Sequence, residues 1–131
     1  SGVFYALAAS NDGADACGFS PARAGTTDGI VTTGATDSAE REASWSNFGP
    51  CVDLWAPGVG ILSTRRGGGT TTMSGTSMAS PHSAGAGALY LSTHGTDSPA
   101  AVESALKRAT QQPGTSSKDG RAIDRLYVGG F

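Results

Sequence analysis

The chain has 131 residues and a formal net charge of −2, and its length fits one domain over residues 1–131. Its basic residues are scattered and give no stripe for phosphates, so we expect no nucleic-acid partner. Its apolar runs fall far short of the roughly 20 residues that span a bilayer, so we expect no membrane-spanning segment.

The first half of the chain has the pattern of short strands separated by loops. Residues 3–9 form a continuous apolar run that ends at a polar turn, which predicts a strand buried on both faces. Residues 30–35, 52–55 and 61–64 are further strand candidates, and the glycines at 67–69 predict a hairpin tip.

Two helices are predicted in the second half. Residues 77–91 carry Pro81 in the first turn and almost only tiny side chains after it, which predicts a central helix buried by close packing. The next helix has Ser98 as N-cap and Pro99 at its first position, and its apolar spacing predicts a surface helix. Strands that alternate with helices favour an α/β fold with a mostly parallel sheet.

The two cysteines, Cys17 and Cys51, lack the CxxC spacing of a redox or zinc site. A disulfide between them is favoured over two buried thiols. Such a bond indicates an oxidising compartment, so we expect a secreted protein.

The segment from Ser74 to His82, Ser-Gly-Thr-Ser-Met-Ala-Ser-Pro-His, has the strongest chemical signal in the chain. It places Ser77 between a glycine turn and a helix start, where unsatisfied N–H groups and the helix dipole favour developing negative charge. Spacing alone is also consistent with a serine that only caps the helix.

This nine-residue string resembles the serine motif of the subtilisin-like serine proteases, and the resemblance covers nearly the whole chain. The residues around Cys17 and Cys51 are most similar to the proteinase K and aqualysin branch. The other matching segments are Ala8-Ala9-Ser10-Asn11, Phe19-Ser20-Pro21-Ala22-Arg23, Thr33-Gly34-Ala35-Thr36-Asp37, Ser44-Trp45-Ser46-Asn47-Phe48-Gly49, Ala56-Pro57-Gly58 and Ile61-Leu62-Ser63-Thr64. The resemblance implies the C-terminal portion of a three-layer, doubly wound α/β catalytic domain.

The resemblance also implies roles for individual residues. Ser77 would be the nucleophile, and Asn11 would donate to the oxyanion together with the Ser77 N–H and the Thr76 hydroxyl. A turn-forming residue is the alternative for Asn11. Ala8, Ala9 and Ser10 would line one wall of the substrate pocket, and residues 19–22, ending at Ala22, would line the other. Pro21 matches a position where the family has a cis peptide bond.

A structural calcium ion is implied in the same way. Asp53 would supply a carboxylate ligand, with the backbone carbonyls of Asp28 and Ile30 nearby. Oxygen ligands from separate loops suit calcium, but an ordinary surface aspartate is the alternative for Asp53.

Two positions depart from the family pattern, because Ser10 replaces a near-universal glycine beside Asn11 and Ser83 replaces the usual valine. We expect Ser10 to narrow the pocket and Ser83 to weaken the packing of the central helix.

The base that a serine nucleophile needs is not evident. In subtilisins the triad order is Asp, His and then Ser, so both partners would precede residue 1. His82 should point away from Ser77, since it lies five residues later on the same helix. His94-Gly95-Thr96 resembles the start of the family's histidine motif, but Asp97 stands where a second histidine belongs.

These observations predict a serine endopeptidase that acts on proteins or peptides through an acyl-enzyme on Ser77. An N-terminal half of the same protease would supply the histidine and aspartate, and an inhibitory pro-segment is a further candidate partner. The chain alone should be nearly inert, since Ser77 without a base is a poor nucleophile. The alternative is an inactive fragment or pseudoenzyme that serves as a binding module.

Overall fold

A computed structural model describes residues 2–131 and contains a parallel sheet of three strands. The strands are β1 (Tyr5–Ala8), β2 (Ile30–Thr36) and β3 (Leu54–Pro57), in the order β1-β2-β3. Tyr5 is in register with Ile30, and Thr33 is in register with Leu54. The strand predictions are confirmed, with shifts of one or two residues at the ends.

An antiparallel hairpin follows the sheet. It consists of β4 (Ile61–Thr64) and β5 (Thr70–Met73), and it turns through three glycines with positive φ at residues 67–69. Glycine adopts this conformation without the steric cost that a Cβ would impose. The predicted hairpin tip is therefore confirmed.

Two α-helices pack on the sheet, α1 (Thr76–Leu91) and α2 (Pro99–Arg108). The Ser98 hydroxyl caps α2 by accepting a hydrogen bond from the Ala101 N–H at 3.2 Å. The core between the sheet and the helices consists of Val31, Leu54, Ala86, Val102 and Leu106. Two short 3-10 helices, Ala16–Gly18 and Ala22–Thr26, contribute Ala16 and Ala22 to a second apolar cluster that also contains Ala9 and Cys51.

Helix α1 is less enclosed than its composition predicts. Its buried face includes Ala79, Ser83 and Gly87, whereas Leu89 on the opposite side is 46% exposed. The close packing is real on the buried face, where a Cβ on Gly87 would lie 2.9 Å from Phe4 Cε1. The predicted close packing is therefore confirmed on one face of α1, while the opposite face is exposed within residues 2–131.

The two edges of the sheet differ. On the β3 side, Trp55 donates to the Asp124 carbonyl at 2.9 Å and accepts from the Leu126 N–H at 2.8 Å, so the C-terminal segment covers that edge. Within residues 2–131, β1 pairs with β2 alone. Tyr5 is 48% exposed, so β1 is not buried on both faces as its apolar sequence predicts.

Ser83 is better accommodated than its sequence context predicts. Its hydroxyl lies 2.7 Å from the hydroxyl of Thr33, and both side chains are fully buried. A buried hydroxyl costs little when it has such a partner. The expected weakening of the α1 packing is thus offset by a hydrogen bond to β2.

Two local predictions about covalent geometry are also confirmed. Cys17 and Cys51 form a disulfide whose Cα atoms are 5.3 Å apart, and the Ser20–Pro21 peptide bond is cis. Among the described residues, neither helix is long and apolar enough to cross a bilayer.

Candidate active site

Ser77 is the second residue of α1, and its side chain is exposed. The N–H groups of the first helical turn have no acceptors within the helix, so the Ser77 N–H is available to an anionic oxygen. The Gly75 N–H donates to the Gly58 carbonyl at 2.8 Å, which fixes the start of the helix to the loop after β3. The serine hydroxyl is thereby presented on a rigid element at the protein surface.

Asn11 lies beside this helix start, and its amide has a defined orientation. Asn11 Oδ1 accepts hydrogen bonds from the Thr76 N–H at 2.9 Å and from the Thr76 hydroxyl at 2.8 Å. Because both contacts come from donors, the amide atom that faces Thr76 is the oxygen. The Nδ2 group therefore faces away from Thr76 and can donate to another acceptor. A Cβ on Gly75 would lie 3.7 Å from Nδ2, so the donor is close to the residues that lead into Ser77.

The Thr76 hydroxyl links the Asn11 side chain to the loop before it. It donates to Asn11 Oδ1 and accepts from the Ser10 N–H at 3.1 Å, and the side chain is fully buried. These contacts hold the Asn11 amide in its orientation, and a direct hydrogen bond from the Thr76 hydroxyl to an oxyanion stays a prediction. Contact between Thr76 and a substrate stays a prediction.

Ser10 has a backbone conformation that explains the glycine common in the family. Its φ is +79°, in the left-handed region where a Cβ is unfavourable. Its side chain is half-buried beside the helix start. This residue therefore brings backbone strain and a hydroxyl to the predicted pocket wall.

The other predicted pocket residues differ in accessibility. Ala8 is half-buried at the end of β1, whereas Ala9 and Ala22 are fully buried in one apolar cluster with Ala16 and Cys51. The structure thus brings the two predicted walls together, with Ala9 and Ala22 as support behind the surface. Their contact with a substrate side chain stays a prediction.

Asn47 contributes to the site although sequence reasoning gave it no role. Its side chain is fully buried, and its Oδ1 accepts from the Asp12 N–H at 2.8 Å and from the Ala14 N–H at 3.0 Å. The signal that was available is its place in the Ser44–Gly49 segment that matches the family. Sequence spacing could not reveal that this segment folds onto the loop of Asn11.

Neither histidine is bonded to the serine hydroxyl. His82 borders the same groove of about 320 Å³ as Ser77, but its Nδ1 is 2.9 Å from the Met78 carbonyl. His94 stacks on Tyr90 in the last turn of α1, and Tyr90 lies about 20 Å along the helix from Ser77 at about 1.5 Å of rise per residue. Within residues 2–131, the Ser77 hydroxyl therefore has no histidine hydrogen-bonded to it as a base.

Asp53, the predicted calcium ligand, is already engaged by protein groups. Its Oδ2 accepts from the Thr32 N–H at 2.8 Å, and its Oδ1 lies 3.2 Å from Lys107 Nζ, which also contacts Glu103 Oε2 at 3.0 Å. Burial raises the pKa of Asp53, opposed by the Thr32 N–H and Lys107. Burial acts to lower the pKa of Lys107, but the two carboxylates outweigh it and the pKa is raised.

These contacts do not fit a calcium cage. Calcium takes six to eight oxygen ligands, and here an ammonium group occupies the cation position next to Asp53. Asp28 lies in the exposed turn before β2, and Ile30 begins that strand. Both oxygens of the Asp53 carboxylate already accept hydrogen bonds, one from the Thr32 N–H and one from Lys107 Nζ. Calcium binding stays a prediction that these side chains do not favour.

Comparison with known proteins identifies the family. The model of the subtilase family matches residues 1–128. The chain belongs to the subtilase family. Alkaline serine exoprotease A of Vibrio alginolyticus is 51% identical over 106 residues, which cover 81% of this chain and 19% of that protein. The extracellular serine proteinase of a Thermus species is 50% identical over 107 residues, which cover 80% of this chain and 25% of that protein.

The fold agrees with this subtilase assignment. The crystal structure of a cold-adapted subtilisin-like serine proteinase superimposes with a TM-score of 0.89 at 43% identity, covering 97% of this chain and 45% of that one. The described strands and helices are therefore those of a subtilisin-like α/β fold. The chain spans about a fifth to a quarter of the curated relatives it matches, so the activity of a whole subtilase is a proposal here.

Proposed function

We propose that this chain supplies the nucleophile and the oxyanion donors of an extracellular serine endopeptidase. The observation that carries the proposal is the amide orientation of Asn11, fixed by the two donors from Thr76 next to Ser77. A neutral amide and a backbone N–H at one helix start can stabilise a developing oxyanion in a preorganised way. The disulfide and the extracellular Thermus relative support a location outside the cell.

The chemistry follows from these groups. Ser77 Oγ attacks the scissile carbonyl while its proton passes to a histidine base, and the carbonyl oxygen becomes an oxyanion next to Asn11 Nδ2 and the Ser77 N–H. The base then protonates the leaving amine, which departs and leaves an acyl-enzyme on Ser77. Water, deprotonated by the same base, releases the acid product and regenerates the hydroxyl.

The base and its carboxylate would come from an N-terminal half that is not part of this sequence. Support comes from the outer side of α1, where an apolar groove of about 520 Å³ is bordered by Leu89, Leu126, Tyr127 and Val128. Leu89, Tyr127 and Val128 are exposed along this one groove, and a contiguous apolar patch commonly marks a surface that binds a partner. An inhibitory pro-segment remains a further predicted partner.

Labelling with a fluorophosphonate tests the proposal. The chain is treated with the probe alone and together with the N-terminal half, and the adduct is located by peptide mass spectrometry. We expect an adduct on Ser77 only when the N-terminal half is present, and none in Ser77→Ala. Ser104→Ala, an exposed serine on α2, is the matched control and should label as the unchanged chain does.

Two other outcomes would change the interpretation. Rapid labelling of Ser77 without the N-terminal half would mean that a base lies within this chain, and His82 would be tested first because it borders the same groove. A folded mixture that never labels would overturn the endopeptidase proposal in favour of an inactive binding module.

A further inference from the structure

The side chain and the backbone N–H of Asn47 bind the loop that carries Asn11. Asn47 Oδ1 takes the N–H groups of Asp12 and Ala14 at 2.8 and 3.0 Å, and its own N–H donates to the Ser10 carbonyl at 2.9 Å. These contacts bracket Asn11, with Ser10 on one side and Asp12 on the other. A fully buried amide with such partners fixes the backbone to which the oxyanion donor is attached.

Asn47 is itself held to the sheet. The Ser46 hydroxyl donates to the Asn47 carbonyl at 3.0 Å and accepts from the Ala35 N–H at 3.1 Å, so the segment is attached to β2. The positive φ of Ser10 is unfavourable for a residue with a Cβ, so the loop needs contacts from elsewhere to hold its conformation. The position of Asn11 therefore depends on a contact from residues more than thirty positions away in sequence.

We propose that Asn47 is a positioning residue for the oxyanion donor Asn11. The inference rests on the proposed function. An oxyanion donor acts only when it is about 2.7–3.1 Å from the place where the charge develops. Loss of the Asn47 side chain frees the backbone on both sides of Asn11, and a displacement of about 1 Å can lower the rate about 100-fold.

Steady-state kinetics of the complete protease test this role. Asn47→Ala should lower kcat at least about tenfold while KM changes little, because the lost interaction acts in the transition state. The double variant Asn11→Ala/Asn47→Ala should be no slower than Asn11→Ala, since positioning is irrelevant once the donor is absent. Val102→Ala, a core truncation away from the site, is the control for destabilisation and should keep its kcat.

Exchanging the side chains at positions 12 and 47 tests whether the lost activity can be restored. Asn47 Nδ2 donates to Asp12 Oδ2 at 3.3 Å, so exchanging the two groups in Asp12→Asn/Asn47→Asp retains an acceptor at position 47 and a hydrogen bond between the pair. We expect this double variant to recover most of the kcat lost in Asn47→Ala.

Two results would contradict the proposal in different ways. If Asn11→Ala lowers kcat but Asn47→Ala does not, or if their effects multiply in the double variant, Asn47 is not a positioning residue for Asn11. If Asn11→Ala leaves kcat unchanged, the oxyanion role itself is wrong and the inference about Asn47 fails with it.

An independent observation concerns the cation next to Asp53. The carboxylate side chains of Asp53 and Glu103 are 7% and 12% exposed, and Lys107 Nζ lies between them at 3.2 and 3.0 Å. The remaining oxygens are also occupied, because the Gly29 N–H donates to Glu103 Oε1 at 2.7 Å and the Thr32 N–H to Asp53 Oδ2. Two buried carboxylates require compensating positive charge, and the ammonium supplies it.

We infer that Lys107 is a built-in cation at this position and that the protein binds no calcium through Asp53. A divalent ion at Asp53 would have to displace the ammonium or be repelled by it at short range. This part of the fold would then keep its stability when calcium is removed.

Calcium counting and a fluorescent probe test this inference. Asp53→Asn and the unchanged complete protease should bind the same number of calcium ions at equilibrium, and one ion fewer in the variant would overturn the inference. Trp55 borders the same cavity as Asp53, so a terbium ion there would be sensitised by its indole. Both the unchanged protease and the Trp55→Phe variant keep Asp53, and we expect the two to give equal terbium emission. Stronger emission from the unchanged protease would contradict the inference.

Discussion

Thr33 Oγ1 and Ser83 Oγ lie 2.7 Å apart in the interior and join β2 to α1. Removing one partner should leave a buried hydroxyl without a hydrogen bond, at a cost of about 1–3 kcal/mol. Replacing both hydroxyls with apolar groups should cost much less.

We therefore expect Ser83→Ala to lower the free energy of unfolding of the complete protease, and Thr33→Val/Ser83→Ala to restore most of it. Urea unfolding of the protein inhibited at Ser77 measures both. A double variant less stable than either single variant would mean that the two side chains stabilise the protein through packing rather than through their hydrogen bond.

Thr76 should influence catalysis through Asn11. Thr76→Val keeps the size of the side chain but removes the hydroxyl that donates to Asn11 Oδ1 and accepts from Ser10. We expect kcat to fall about tenfold, from the loss of roughly 1.4 kcal/mol of transition-state stabilisation, with KM nearly unchanged. Thr76→Ser, which keeps the hydroxyl, should retain most of the rate, and equal losses in both variants would argue against this role.

Ser10 stores strain that a glycine would relieve. Because its φ is +79°, Ser10→Gly should stabilise the folded protein by about 1 kcal/mol, measured as a higher unfolding midpoint. The Ser10 N–H that donates to Thr76 remains in the variant, so catalysis should be retained. A lower midpoint would show that the serine side chain makes a compensating contact.

The hydrogen bond between Tyr90 and Asp97 should make a pH-dependent contribution to stability. The Tyr90 hydroxyl donates to Asp97 Oδ2 at 2.6 Å, and this hydrogen bond is the main reason that the pKa of Tyr90 is raised above its ordinary value of 10.0. The raised pKa means that the neutral phenol favours the folded state. Its contribution to stability is complete below pH 10 and is lost as the pH rises through the pKa of the folded protein.

Absorbance of tyrosinate during an alkaline titration measures this shift. Asp97→Asn should lower the pKa of Tyr90 toward its ordinary value, and Tyr90→Phe identifies which part of the absorbance change belongs to this residue. An unchanged titration in Asp97→Asn would mean that the hydrogen bond does not control the phenol.

Local patterns were sufficient to predict most of the fold. The hydroxyl cap at Ser98 and the glycines at the hairpin tip act within a few residues, so sequence alone places the helix start and the turn. The candidate nucleophile Ser77 was identified differently, through the resemblance of its motif to that of a known family, since spacing alone was also consistent with a helix cap.

The cap and the turn were predictable for a physical reason. These features depend on short-range sterics and hydrogen bonds, which a linear sequence displays directly.

The contacts that complete the site are long-range and were not predictable in this way. Asn47 meets Asp12 across 35 positions, Ser83 meets Thr33 across 50, and Lys107 meets Asp53 across 54. Each of these residue types is common on protein surfaces, and only the fold places it next to its distant partner. For the same reason, the prediction that Ser83 weakens packing overlooked the matching hydroxyl on β2.

The unequal edges of the sheet have a consequence for stoichiometry. With residues 124–126 bonded along β3, strand addition is blocked on that side, whereas β1 still presents unpaired backbone groups within residues 2–131. A sheet with one open edge can pair with one further sheet edge, whereas a sheet with two open edges can add chains on both sides and grow into a filament. For residues 2–131 by themselves, two copies paired through their β1 strands would therefore leave no free edge on the joined sheet.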